Sequence, residues 1–578
     1  MTNTVKEHIE FKSKYDVIVI GAGVSGLTSA ALLCKAGMSV LVLEKDKRVG
    51  GYLAGFRRKH FRFDTAIHWL NMFGKNGMAS KIFNFLGNDW PHPVEQKRIR
   101  RLKSASIDYL ITNNLDELRG QLISDFPEDE KGIIRFFKDV KQLAKFFEIY
   151  PRIFRSPECM SISDKIRLRW LQFRYGWPFL KHLRFAGEAK VEKGLKRYFS
   201  NSRLRSLFRM EEDILGCIIP LAWAQNNDFQ NPPIGGSLVM PEWLIHVIKY
   251  HGGTVSVDST VQKIDLINNQ VSKVHFQHKK EQHSIETNYI IAACDVETLY
   301  EKMLPESAIS KDFKKKLKSA DLYSSSVTVS LSLDCTAESL GFNEEMVFLM
   351  QDGVSRKDHN LGDPEKCMIS IIAPTLRDKS LSPEGTGVLT IYCAGRIDYN
   401  NYWQTERVDQ GNYIRGEAYK KFKLEYAEKL IDRIVKDIAP SLRDHITFTD
   451  VATPVTHWRY TGNRDGSIMG ASPGKKNIKM KLAHHQTQVK GLILGGHWSD
   501  YGGGVPIAVK TAANASLLIL KETNKIAFKT LSKFMDGIPN SPEGDLPGFN
   551  AYDNSWIQEL TPANKASMKG SMGDRVMG

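Results

Sequence analysis

The sequence predicts an α/β chain: a parallel sheet assembled from separated stretches, a second and mostly antiparallel sheet, and a helical subdomain. Three observations predict it. Residues 15–51 read as strand, glycine turn, helix and strand; residues 323–394 carry four short strand-like runs divided by charged or glycine-containing turns; residues 491–520 return to a strand, a glycine-rich turn and a helix. At 578 residues the chain is long enough for two or three units with large cores.

In the first stretch a buried strand, residues 17–20, runs into Gly21, Gly23 and Gly26. Gly21 permits the tight turn, Gly23 lets the backbone approach a pyrophosphate, and Gly26 lets helix and strand pack closely while the helix N-terminus faces the phosphate charge. The helix carries Leu27, Ala30 and Leu33, and the second strand, residues 40–43, ends in Glu44. A carboxylate there accepts from both ribose hydroxyls, which selects an adenosine with a free 2′-OH. A Rossmann-type dinucleotide site follows from these parts in register. Gly50 and Gly51 supply a second glycine turn just beyond Glu44, where a chain doubling back along the cofactor suits FAD better than NAD.

Residues 232–276 read as a turn at Gly235 and Gly236, an amphipathic helix with Leu238, Leu244, Val247 and Ile248, a stop at Gly252 and Gly253, and alternating strands. A buried strand over 289–294 then returns the chain to the nucleotide sheet. The runs 327–333, 346–350, 368–372 and 388–393 form the second sheet, a roof over the flavin. A helix with Tyr419, Phe422, Tyr426, Leu430, Ile434 and Ile438 on one face stops at Pro440. Beyond about Asn524 the composition suggests a loosely ordered tail or a surface extension, with Met568, Met572 and Met577 and little periodicity.

Eighty basic against sixty-five acidic residues give a net charge of +15, which favours an anionic partner. No nucleic-acid module accompanies that charge, so nucleic acid is not an expected partner. Thirteen of the basic residues and only three acidic ones fall between 164 and 209, interleaved with Trp170, Phe173, Trp177, Phe179 and Phe185. That mixture suits an anionic bilayer interface, or else a solvated helical subdomain with its own aromatic core. The spacing fits both a strand and a helix. Seven scattered cysteines form no CxxC pair and no paired histidine spacing, so neither a disulfide framework nor a metal site is expected. With no signal peptide and no spanning segment, the expected location is cytoplasmic, peripheral on the inner membrane face.

Four blocks, 17–51, 232–295, 453–470 (TPVTHWRYTGNRDGSIMG) and 491–517 (GLILGGHWSDYGGGVPIAVKTAANASL), carry a resemblance to the FAD-dependent phytoene desaturase, carotenoid isomerase and retinol saturase group within the flavin amine oxidase superfamily. It spans residues 15–520. It implies a discontinuous FAD-binding domain (15–75, 232–300, 450–523), a helical, membrane-contacting subdomain (76–231), a substrate sheet with helices (301–449) and an extension (524–578). It implies that Gly496, His497, Gly503, Gly504, Val505 and Pro506 close over the isoalloxazine, with a helix from near Ile507 aiming backbone N–H groups at the pyrimidine ring, and that Val261 lies against the adenine. Val24, Ser25 and Lys45 complete the cofactor set. Three positions depart from the pattern: Tyr52 stands where amine oxidases place Arg, Ala66 where many relatives have Gly, and His497 where many carry Asp for the ribityl chain.

The resemblance implies an oxidoreductase that desaturates, saturates or isomerises a long apolar polyene or isoprenoid. Candidates for proton handling or substrate contact are His68 and Trp69, and Arg459, Tyr460, Arg464 and Asp465. Two other readings stand beside it: a flavin oxidase of another amphiphile, a porphyrinogen or an amine, and a non-catalytic binder of prenylated partners. Oligomeric state has no signature in the sequence.

Overall fold

A computed structural model describes residues 9–75, 77–149, 155–183, 185, 188–208, 214–408 and 412–537. Arg184, Arg209 and the three tail methionines lie outside them. Two seven-stranded sheets organise the chain.

The first sheet runs, edge to edge, 254–256, 40–43, 14–20, 281–292, 270–278, 259–267, with 492–494 paired to the far end of 281–292. Strand Lys14–Ile20 is parallel to both Val40–Leu43 and the end of Glu281–Ala292, which is in turn parallel to Leu492–Leu494. Its apolar run is buried on both sides, as a parallel strand covered by helices must be. Helix Val24–Lys35 packs between helices Val239–Tyr250 and Gly504–Thr523, and the three share one core. Segments from both ends and the middle of the chain therefore build one cofactor sheet.

The second sheet is ordered 446–452, 325–333, 387–395, 369–372, 346–349, 98–103, 108–112 and is antiparallel except between Met346–Leu349 and Arg98–Lys103. Alternation decides what each face meets. Val327, Val329, Leu331 and Leu333, with Leu389 and Ile391, pack under helix Glu417–Asp437 through Tyr426, Leu430 and Ile434. The opposite face presents Ser326, Thr328, Ser330, Thr390 and Tyr392 towards the cofactor domain. The last two strands come from within 76–231, the stretch read as helical. Ile107, Tyr109 and Ile111 alternate as a half-buried strand does, a signal outweighed by the helices around it.

Two other expectations change, and one spacing left open resolves. The closing helix begins at Gly504, not near Ile507, because positive φ at Gly502 and Gly503 completes the turn sooner. Residues just past Asn524 are a helix, Lys525–Met535, with Asn524 capping it and Leu531 and Met535 buried in the cofactor-domain core. Its Phe528, Leu531 and Met535 repeat at helical spacing. The basic segment is helical, not extended: Ile162–Leu171 and Trp177–Leu183 are joined through a wider turn, Gln172–Gly176.

Candidate functional site

The phosphate turn is fixed by contacts that leave no room for side chains. Gly21 N donates to Leu43 O at 2.8 Å, and Ala293 N to Ile20 O at 2.9 Å, pinning the turn between neighbouring strands. A Cβ on Gly26 would stand 1.9 Å from Gly21 O, whereas one on Gly23 would meet nothing within 4 Å. Gly23 thus opens onto free space at the start of helix Val24–Lys35, where N–H groups and the helix dipole favour an anion. The second glycine turn is stitched to the first: Gly23 bridges Gly50, and Gly50 N donates to Ala22 O at 2.8 Å. Val24 and Ser25 form the first helical turn, and Ser25 Oγ lies 3.5 Å from Thr511 Oγ1 on the closing helix.

Glu44 accepts from Ala22 N at 2.8 Å and Asp46 N at 2.9 Å. Burial raises its pKa, and those two amide bonds oppose the rise. Ser256, at the end of strand Thr254–Ser256, and Ser259, at the start of strand Ser259–Ile267, hold the Glu44 backbone, and Val261 lies buried in the second of these. Lys45 faces Asp295 and Cys294 across the same end of the sheet.

The C-terminal block arrives beside these residues. Gly495 N donates to Ala292 O at 3.0 Å, and Thr511 Oγ1 returns a bond to Gly495 O at 3.0 Å. Gly496 follows with Ala293 beneath it, and His497 and Trp498 pack on Gly470. Met469 sits against Gly503, and Gly504, Val505 and Pro506 open the closing helix. His497 Nε2, Trp498 Nε1 and Ser499 Oγ are buried without hydrogen-bond partners among the described residues. The open face at Gly23, the Glu44 carboxylate and these three unengaged polar atoms fit FAD.

Where the two sheets face each other, a cluster missed in the sequence assembles. Tyr52 OH donates to Ser467 O at 2.7 Å, and Asn463 Nδ2 donates to both Tyr52 OH, at 3.3 Å, and Ser467 O, at 3.0 Å. His457 lies 5.9 Å from the Tyr52 ring and hydrogen-bonds Ser326 through Nε2 at 3.1 Å. Tyr392 packs edge-on against His68 at 6.1 Å and Trp69 at 6.4 Å. Burial pushes His68, His457 and His497 down to about 4 and Tyr52 and Tyr392 up to about 12. At neutral pH all five are uncharged. These residues come from positions 52 to 497, so no local pattern links them.

His68 thus reaches the junction, buried and with Nε2 unpartnered among the described residues. Trp69 reaches it too, beside His68 and Tyr392, whereas the four candidates between 459 and 465 do not. Arg464 bonds Glu297 at 2.8 Å and donates to Leu317 O and Ala320 O, and Asp465 is exposed in a positive-φ turn. Arg459 and Tyr460 are exposed and stacked on each other. Arg464 thus ties its turn to Glu297 and the 317–320 backbone, and Arg459 and Tyr460 stand on the exposed side of helix Pro454–Thr461. Elsewhere, at one end of the roof sheet, Asp334, Cys335 and His445 bring their polar atoms within 4.8 Å, with His445 Nδ1 bonded to Asp334 at 2.8 Å.

Comparison with known proteins bears on the same residues. The family profile described as flavin containing amine oxidoreductase matches residues 24–520. Among curated proteins, the all-trans-retinol 13,14-reductase of Danio rerio is 24% identical, covering 83% of this chain and 82% of its own. A chloroplastic prolycopene isomerase of Daucus carota is 24% identical, over 85% and 78%. The 4,4'-diapophytoene desaturase (4,4'-diaponeurosporene-forming) of Staphylococcus aureus is 22% identical, over 86% and 97%. Among solved structures, an oxidoreductase from Methanosarcina mazei shares the fold with a TM-score of 0.57 at 15% identity, over 88% of this chain and all of its own.

Proposed function

Because the chain belongs to the flavin containing amine oxidoreductase family and is an FAD-dependent oxidoreductase, we propose that its substrate is a long, apolar polyene, of retinoid or carotenoid type, that it desaturates, saturates or isomerises. The observation that carries this reading is the uncharged junction. Tyr52, His68, Tyr392 and His457 are all neutral and desolvated, and Ser326, Asn463 and Ser467 add hydroxyl, amide and carbonyl groups only. An ammonium or a porphyrinogen carboxylate set among these groups would lose its hydration, and the nearest charges, Arg62 and Asp64 in the cavity beside His68, already answer each other and Ser237. A hydrocarbon chain loses nothing. The relatives that act on retinol, prolycopene and diapophytoene by their names support the same substrate class.

The flavin, when bound, supplies hydride transfer. The chain supplies the setting: the glycine turns and Glu44 orient the cofactor, and the two sheets exclude water. Tyr52 and Tyr392 keep their protons at neutral pH, and Tyr52 donates its own to Ser467 O. The His457 imidazole, neutral, holds a proton on one nitrogen and meets Ser326 with Nε2, so a proton has a place to rest at the junction without a charged base.

The same reading gives the enzyme an anionic membrane surface to draw from and a cytoplasmic, peripheral location. Among the described residues no helix is long and apolar enough to cross a membrane. Anaerobic mixing with detergent-dispersed polyenes tests the reaction. Desaturation bleaches oxidised flavin in step with product, saturation reoxidises pre-reduced flavin, and isomerisation changes product geometry while reduced flavin stays reduced. Turnover of a charged amine in place of every polyene would overturn the proposal.

A further inference from the structure

Between residues 162 and 180 the helical segment turns its greasy side outward. Ile162, Ile166, Trp170, Phe173, Trp177 and Leu180 are between 51 and 79% exposed, and their spacing of four, four, three, four and three is that of one helical stripe. The opposite side, with Leu171, Phe179 and His182, is buried against the protein. The eighteen steps of helix from Ile162 to Leu180 extend about 27 Å, so the stripe is a long continuous ridge. A soluble surface does not ordinarily leave two tryptophans, a phenylalanine and three aliphatics in one exposed row.

Lys165 and Arg169 lie along one flank and Arg174 along the other, all exposed and none in an ion pair among the described residues. Arg174 stacks on Trp170 at 5.6 Å. We propose that this ridge is the element by which the protein seats on an anionic lipid bilayer, with the six apolar side chains set between headgroups and the flanking cations on the phosphates. The charge arrangement selects lipid over a second copy of the chain, because a ridge-to-ridge dimer would bring the same cations face to face. Stems of Lys and Arg beside an apolar row reach the headgroup layer while the row stays in the acyl boundary.

The inference deepens the apolar-substrate reading and rests on it for its purpose. Phe179, on the inner side of the ridge, belongs to the apolar cluster that also contains Phe348 and Ile372 of the roof sheet. Trp69 and Tyr392 of the junction pack against that cluster. One packed apolar cluster thus joins the inner side of the ridge to the residues of the junction.

Flotation of the holoprotein with vesicles of equal parts phosphatidylglycerol and phosphatidylcholine, and with phosphatidylcholine alone, tests the assignment. Binding to the anionic vesicles is expected to weaken at high salt and to fall about a hundredfold in a Trp170→Ser, Phe173→Ser, Trp177→Ser variant. The same variant keeps its flavin spectrum, its melting temperature and its turnover of detergent-dispersed polyene, since the three side chains touch solvent. Lys165→Glu, Arg169→Glu, Arg174→Glu should abolish the preference for anionic lipid. Wild-type flotation by the serine variant, binding indifferent to lipid charge, or a concentration-dependent dimer lost in that variant would overturn the docking assignment. Intact, ridge-dependent flotation with a flavin that answers no polyene would instead overturn the substrate reading and leave the docking standing.

Discussion

Replacing Gly23 and Gly26 separately by alanine divides the cost of folding from the cost of holding FAD. At Gly26 the new methyl would lie 1.9 Å from the Gly21 carbonyl oxygen, 3.1 Å from its carbon and 3.2 Å from Val19 Cγ1. Backbone must move, so the penalty reaches or exceeds the ~1–3 kcal/mol of ordinary overpacking. At Gly23 the methyl meets no protein atom within 4 Å, and φ −73°, ψ 172° is comfortable for alanine. Gly23→Ala should therefore leave the apoprotein as stable as before or gain up to ~1 kcal/mol from a less flexible unfolded chain.

The Gly23 methyl does, however, fill the approach to the helix N-terminus. Pushing a pyrophosphate outward by one methyl radius forfeits about two charge-assisted hydrogen bonds at ~1.5–3 kcal/mol each, so the FAD dissociation constant should rise by at least about a hundredfold. Urea melts of both apoproteins, with FAD titration followed by flavin absorbance, measure the two quantities independently. If Gly23→Ala bound FAD as tightly as the parent, or destabilised the apoprotein as much as Gly26→Ala, the assignment of the turn would be wrong.

Three further outcomes are expected. His68, His457 and His497 are each held near 4 in the folded protein against about 6.5 unfolded. The unfolded state therefore binds more protons between these values, and stability should fall as pH drops from about 6.5 towards 4, by roughly 3 kcal/mol for each fully buried imidazole. His457→Gln should flatten that slope by one proton in urea melts taken across the window, and an unchanged slope would contradict the assignment. Arg464→Met should cost about 2 kcal/mol by removing the Glu297 ion pair and two carbonyl bonds while leaving flavin turnover intact; lost turnover at unchanged stability would return Arg464 to the chemistry. Arg155→Ala should cost about 3 kcal/mol in thermal melts, because one buried guanidinium clamps Asp536, at 2.8 and 2.7 Å, and Asp164, at 3.1 Å; a shift of under a degree would mean the clamp is idle.

The cofactor half was legible because phosphate binding imposes local rules. Gly21, Gly23, Gly26 and Glu44 sit within one strand-turn-helix-strand unit, and each performs a task that no other residue type there would perform. Four of the roof strands were legible as short apolar runs bounded by charged or glycine-containing turns. Their neighbours were not, since Val347 pairs with Arg101 across most of the chain's first half, and no window of sequence carries that register. Ser326 and Tyr392 stand on neighbouring strands of the roof sheet and His457 on the helix after its edge strand, three stretches far apart in the chain, so their partnership has no sequence spacing. Arg464 and Asp465 looked chemical because charge stands out in a one-dimensional string; burial, which decides their employment, does not. The stripe from Ile162 to Leu180 read equally as strand or helix until the structure fixed its periodicity.

The route by which the first sheet closes has a consequence for synthesis. Strand Glu281–Ala292 finds its last neighbour, Leu492–Leu494, only after about 200 more residues have been made. At typical ribosomal speeds of about 5–20 residues per second that is a wait of roughly 10–40 s. Through that interval an apolar edge stands bare on a nascent chain, a template for wrong pairing. Chaperone demand during translation, and insolubility of any product released short of residue 494, are built into the order in which the gene spells the strands.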